Sequence, residues 1–194
     1  PHNERVEMKN SKGLLLATVL ACFASNSAMA EEGNIYAAID LGQVSAPDVC
    51  SGTGFSCDTT TTAYRIGLGY QVNPNVEVEG SYLNAGEVKV NGTTANATMS
   101  GFQFSAIGAY PLTNSAALLG KIGVASITGK ASGFGGPSTD QSNSNLAFGF
   151  GARFTANDKV AIRVMYEDFG TVKASSNGTG SKVTMLSAGV QVGF

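Results

Sequence analysis

Leu146-Ala147-Phe148-Gly149-Phe150-Gly151-Ala152-Arg153-Phe154 is the stretch that decides the fold. Leu146, Phe148, Phe150, Ala152 and Phe154 fall on one side, and Ala147, Gly149, Gly151 and Arg153 on the other. A period of two belongs to a β-strand, whose side chains alternate between faces. One face is bulky and apolar. The other is nearly bare, with a single cation.

The same pattern recurs outward in both directions. Residues 35–42 set Ile35, Ala37, Ile39 and Leu41 against Tyr36, Ala38, Asp40 and Gly42, and residues 64–72 set Tyr64, Ile66, Leu68, Tyr70 and Val72 against Arg65, Gly67, Gly69 and Gln71. Stretches 76–83, 102–110, 118–125, 160–167 and 186–194 alternate in the same way. Eight strands are predicted. Tight turns at Asn73-Pro74-Asn75, Pro111 to Ser115 and Ala156-Asn157-Asp158 alternate with longer Gly/Ser/Thr/Asn-rich loops at 43–62, 84–98, 126–144 and 169–182. Short turns at one end and long loops at the other describe an up-and-down sheet closed into a transmembrane barrel. The expected fold is therefore all-β: an eight-stranded antiparallel up-and-down transmembrane β-barrel with short periplasmic turns and long extracellular loops.

Charges orient the faces. Asp40, Arg65, Glu77, Glu79, Lys121, Arg153, Arg163 and Glu167 all share the small-residue face. Turning the four cations toward lipid costs about 2–4 kcal/mol each at the midplane, which together rivals the ~5–15 kcal/mol stability of a domain. They face inward, where four positive and four negative groups form a charge network across the lumen. Tyr70, Tyr110, Phe154 and Phe194 then stand outward near the short turns as the periplasmic-side aromatic belt, and Tyr64, Tyr82, Phe102 and Tyr166 lie toward the opposite rim.

Composition agrees with this architecture once it is granted. The 194 residues include 25 Gly, are 43% hydrophobic and only 13% charged, and contain no Trp. A formal charge of −2 gives no basic field for nucleic acid. No apolar run is long enough for a membrane helix, which excludes helices alone as the way across.

The first thirty residues read as a leader. Lys9 and Lys12 precede a run of apolar and small residues over 14–24, and Ala28-Met29-Ala30 has the small-x-small form of a signal-peptidase site. Residues 1–30 are thus expected to be an upstream extension, 1–7, plus a cleaved secretory signal, and 31–194 the barrel. Val19-Leu20-Ala21-Cys22 offers a rival, lipoprotein-type cleavage. Without residues 1–30 the chain loses Cys22 and its only histidine, His2, and retains nine Lys+Arg against twelve Asp+Glu. In an exported protein, Cys50 and Cys57 read as a small loop disulfide. No third Cys or His is left for a metal, and no cofactor motif is present.

The run Leu186-x-Ala188-x-Val190-x-Val192-x-Phe194 looks like the C-terminal targeting signal by which the barrel-assembly machinery engages outer-membrane proteins. Ile66-Gly67-Leu68-Gly69-Tyr70, residues 108–113 and Ala161-Ile162-Arg163-Val164-Met165-Tyr166 resemble small porin-family barrels of the OmpA-like membrane-domain type. The resemblance spans nearly all of 31–194. It implies residence in the outer membrane among its lipids, with both termini periplasmic, but embraces many roles.

Three functions follow. A structural or surface-interaction protein would use its loops to meet an extracellular partner that the sequence does not name. A small pore would need the lumen charges to rearrange, with Glu77 or Glu79 exchanging partners among Arg65, Lys121 and Arg163. An enzyme would need a base near neutrality, and no histidine follows the leader. Ser132-Gly133-Phe134-Gly135-Gly136 lacks the strand-to-helix setting of a phosphate loop, and Asn91-Gly92-Thr93 and Asn177-Gly178-Thr179 read as loop turns. The expected protein is non-enzymatic, without cofactor, metal or catalytic residues.

Overall fold

The computed structural model describes residues 35–47, 59–89, 96–132, 139–172 and 180–194. The leader at 1–30, its cleavage sites, and Cys50 and Cys57 lie outside the described residues. Eight strands follow one another: β1 (Ile35–Ser45), β2 (Thr60–Asn73), β3 (Val76–Lys89), β4 (Asn96–Pro111), β5 (Ala116–Ser132), β6 (Thr139–Thr155), β7 (Val160–Val172) and β8 (Ser181–Gly193). Each pairs antiparallel with its neighbour in sequence, and β1 pairs with β8 to close the barrel. Closure leaves no free edge along the paired part of the wall, which a bilayer interior demands.

The short turns are built by local side chains. Asn73 Oδ1 accepts from the Asn75 amide at 2.9 Å, Thr113 Oγ1 from Ala116 at 3.0 Å, and Asn157 Oδ1 from Val160 at 2.9 Å. Asn and Thr at these positions mimic a backbone turn and so bring consecutive strands together within a few residues.

The far ends differ from expectation. Much of 43–62, 84–98, 126–144 and 169–182, read above as loop, is strand. Pairing continues from Gln103↔Ala125 up to Asn96↔Ser132, and from Val124↔Leu146 up to Ala131↔Thr139. The connections reduce to 46–59, 90–95, 133–138 and 173–180. Tyr64, Tyr82, Phe102 and Tyr166 are accordingly not at the rim; the strands run on past them.

The physical reason is an inversion of the two faces. Up to the level of Leu41, Tyr64, Tyr82, Phe102, Val124, Leu146, Tyr166 and Leu186 the outward side chains are mostly apolar and the lumen holds the buried charges. Beyond it the outward residues are Gln43, Thr62, Asn84, Ser100, Ser126, Ser144 and Thr184, while Val44, Ala63, Leu83, Ala125, Ile127, Phe169, Val183 and Met185 are buried inside as one cluster. Below the band the wall is dressed for lipid. Above it, the strands form an ordinary water-facing barrel with an apolar core.

The rim is also uneven. The β6–β7 ladder stops at Phe148↔Asp168, where a bulge between Asp168 and Thr171 carries Gly170 at φ +74°. A side chain there would force a left-handed conformation that only glycine takes freely. Asn145 bridges the interruption by donating from Nδ2 to the Thr171 carbonyl at 2.9 Å.

Candidate functional site: the lumen

The lumen is layered. Its middle holds six of the eight charged residues singled out above, brought by β1, β2, β3, β5 and β7 to one level. Arg65 Nε donates to Asp40 Oδ2 at 2.9 Å, and Arg163 Nη2 lies 2.7 Å from the same oxygen. Arg163 Nη1 reaches Glu79 Oε2 at 2.5 Å. Lys121 Nζ sits between Glu79 at 3.1 Å and Glu167 at 2.9 Å, and Glu167 pairs in turn with Arg65. The six groups therefore close a cycle of alternating sign: Arg65, Asp40, Arg163, Glu79, Lys121, Glu167. All are buried.

A closed cycle of this kind matters because an isolated buried charge is costly, and attraction offsets desolvation only when each ion has good partners. Here each ion has two of opposite sign. Neutral groups that the alternation alone does not mark out complete the layer: Tyr36 Oη donates to Glu79 at 3.3 Å, and Gln103 Nε2 donates to Glu167 at 3.3 Å. Both stood on the inward face in the sequence. Their signal is that a large polar side chain occupies a face otherwise given to small residues.

The other two charges stand apart. Arg153 pairs with Glu77 closer to the short-turn end, so Glu77 is not a partner of Arg65, Lys121 or Arg163. Beside that pair a cavity of about 440 Å³ opens at the short turns, lined among others by Tyr36, Gln71, Arg153, Lys159 and Gln191. Ile107, in register with Glu77, forms a small apolar cluster with Ala109, Leu119 and Met165. On the far side of the charged cycle lies the larger apolar cluster around Phe169, Leu83, Ile127 and Met185.

Small residues make the layer possible. A Cβ at Gly69 would fall within the Tyr36 ring, and one at Gly189 would collide with Asp40 and with the Ile39 carbonyl. These glycines are spaces into which lumen side chains lie.

Outside, Tyr70, Tyr110, Phe154 and Phe194 are all exposed near the short turns, and along the last strand Leu186, Ala188 and Val190 are exposed and Val192 is half-buried. Ile39, Leu68, Phe104, Ile122, Phe150, Ile162 and Val164 are also more than half exposed or close to it. So large an exposed apolar belt has no place in water. A closed barrel with an apolar exterior, aromatic at its border, and a charged interior is a membrane-spanning β-barrel.

The chain belongs to the outer membrane protein beta-barrel domain family, whose model matches residues 14–194. It is an integral protein of the outer membrane. No curated protein matches the sequence. Among solved structures, Neisserial surface protein A is similar at 19% identity and TM-score 0.64, over 82% of this chain and 97% of that one. Ail, the attachment invasion locus protein of Yersinia pestis, solved with the heparin analogue sucrose octasulfate, gives 19% and 0.56, over 84% and 97%. OprG from Pseudomonas aeruginosa gives 15% and 0.56, over 84% and 96%. At these identities the likeness is one of fold.

Proposed function

We propose that this protein is a non-enzymatic structural and surface-interaction component of the outer membrane, with its short turns and both strand termini on the periplasmic side. The barrel serves as a rigid mount, and the tall far-end strands with their connections present a surface to the exterior. Assembly through the last strand, Leu186 to Phe194, and contact with membrane lipid along the apolar band belong to the same reading. Lumen occlusion carries it. Two chemically distinct layers, the charged cycle and the apolar cluster above it, stand in series along the only axis a solute could follow.

Ion pairs can exchange partners, but the apolar layer cannot be opened that way: it must be wetted, against the hydrophobic effect. Planar-bilayer recording on the refolded barrel tests the reading. No reproducible conductance is expected; steady single-channel steps from the unmodified protein would overturn it.

One observation favours a second reading, a small low-conductance pore. The cavity beside Arg153 and Glu77 already admits solvent-sized molecules from the short-turn end. Open-state recordings that respond to Glu77→Gln would support it.

A further inference from the structure

The cavity at the short-turn end takes no part in the two layers that close the lumen, and its wall carries polar groups that the barrel itself does not use. At about 440 Å³ it has the size of a small-ligand site. Gln191 is the clearest case. On β8 it stands in register with Ala38 and Ala161, whose small side chains leave its amide room to line the cavity. Its Oε1 is buried and has no hydrogen-bond partner among the described residues. A buried acceptor in that state is costly, and a donor entering the cavity relieves the cost.

Arg153 supplies the opposite polarity. Its bond to Glu77 runs through Nη1, and the guanidinium carries further N–H groups beside that one in the wall of the same cavity. Gln71 adds a second amide there, and Lys159 an ammonium on the turn. The charges at this end balance, Arg153 and Lys159 against Glu77 and Asp158. A multiply charged anion therefore meets no net positive field. A single carboxylate needs none, because a guanidinium edge takes it by two parallel hydrogen bonds.

A ligand that answers both sides has a free carboxylate for Arg153 and an amide N–H close by for Gln191 Oε1. That is the carboxyl end of a peptide, whose other N–H and C=O groups match the side-chain amides of Gln71 and Gln191. Inward, the cavity meets Tyr36, whose hydroxyl donates to Glu79 of the charged cycle at 3.3 Å. The cycle beyond is buried, so a ligand that enters is held and not passed on.

We infer that the short-turn mouth of the lumen is a binding site for the carboxyl end of a short peptide. Arg153 takes the carboxylate, with Lys159 beside it, and Gln191 Oε1 accepts from the last peptide N–H. The site goes beyond the surface role proposed above; only its compartment, the periplasm, rests on that reading's orientation of the barrel.

The full barrel in nanodiscs, open to solution at both ends, is titrated with N-acetyl-trialanine and followed by ligand-observed NMR. Saturable binding of the free acid is expected. Replacing the carboxylate by its amide should weaken it roughly tenfold, as should replacing the last peptide N–H by an ester oxygen. Gln191→Leu should bind peptide and ester equally. Glu77→Gln/Arg153→Gln, which removes the ion pair without stranding a charge, should bind acid and amide equally. Heat-dependent gel mobility shows that the variants are folded. No saturable binding, acetate binding as tightly as the peptide, or equal binding of acid and amide by the unmodified protein overturns the inference, and these arms need no variant. So does an unchanged ester penalty in folded Gln191→Leu. The same tripeptide presented at the carboxyl terminus of a folded carrier separates the sources: equal affinity assigns the site to protein tails as well, and exclusion assigns it to free peptides. A reversed orientation of the barrel would change the compartment and none of these affinities.

Discussion

Arg163 on β7 grips Asp40 on β1 with two parallel hydrogen bonds, Nε to Oδ1 at 2.8 Å and Nη2 to Oδ2 at 2.7 Å, across a strand that lies between them. On that strand, β8, the residue in register with both is Gly189. Its lack of a side chain lets the fork pass over the seam where the barrel closes. The pair is thus at once a member of the charged cycle and a clamp on the closure of the sheet.

Asp40→Ala should be among the most damaging changes in the lumen. It leaves Arg65 and Arg163 without the acceptor they share, and an uncompensated buried charge costs about 3–5 kcal/mol. Urea unfolding in micelles, followed by heat-dependent gel mobility, measures the loss. Removing both members in Asp40→Ala/Arg163→Met should cost less than the sum of the single changes, because the double variant strands fewer charges.

Gly189→Ala should destabilise the barrel by about 1–3 kcal/mol, since the new methyl meets backbone as well as the Asp40 carboxylate and neither can give way freely. Gly120 provides the contrast. It faces outward with open space around its Cβ position, so Gly120→Ala should be neutral or slightly stabilising. Equal effects of the two substitutions in the same unfolding assay would contradict the packing described.

Phe169→Ala hollows the apolar layer above the cycle and should cost about 3–5 kcal/mol. It should also separate the two occluding layers functionally. Glu79→Gln alone, which disturbs only the charged cycle, is expected to leave bilayers silent; Glu79→Gln with Phe169→Ala is expected to produce intermittent conductance. Channels from Glu79→Gln by itself would show that the apolar layer does not seal the lumen.

The level at which the faces invert can be mapped by thiol labelling in a background without Cys22, Cys50 and Cys57. Val124 and Ser126 both face outward on β5, one in the band and one just above it. In liposomes, Ser126→Cys and Ser144→Cys should react with a membrane-impermeant maleimide, while Val124→Cys and Ile66→Cys stay protected. Uniform reactivity along β5 would remove the membrane boundary from this position.

The membrane-embedded half of this protein is written in its sequence. Strict alternation from Ile35 to Leu41, Tyr64 to Val72 and Leu146 to Phe154 determines which side chains face out, because a strand has a period of two whatever surrounds it. Cations cannot face lipid, so the same alternation puts all eight charges inside. The far ends were not legible in this way. There Ser, Thr and Asn occupy the outer face and apolar residues the inner one, among stretches rich in Gly and Ser that read locally as loop and become strand only because neighbouring strands continue alongside. Pairing within the lumen was beyond the sequence too. Alternation says that Glu77 and Glu79 point inward, but strand register and barrel curvature decide that Glu79 joins Arg163 and Lys121 while Glu77 meets Arg153. The direction of a side chain is a local property of the backbone. Its partner depends on which strands stand opposite and at what height, and that exists only once the sheet has closed.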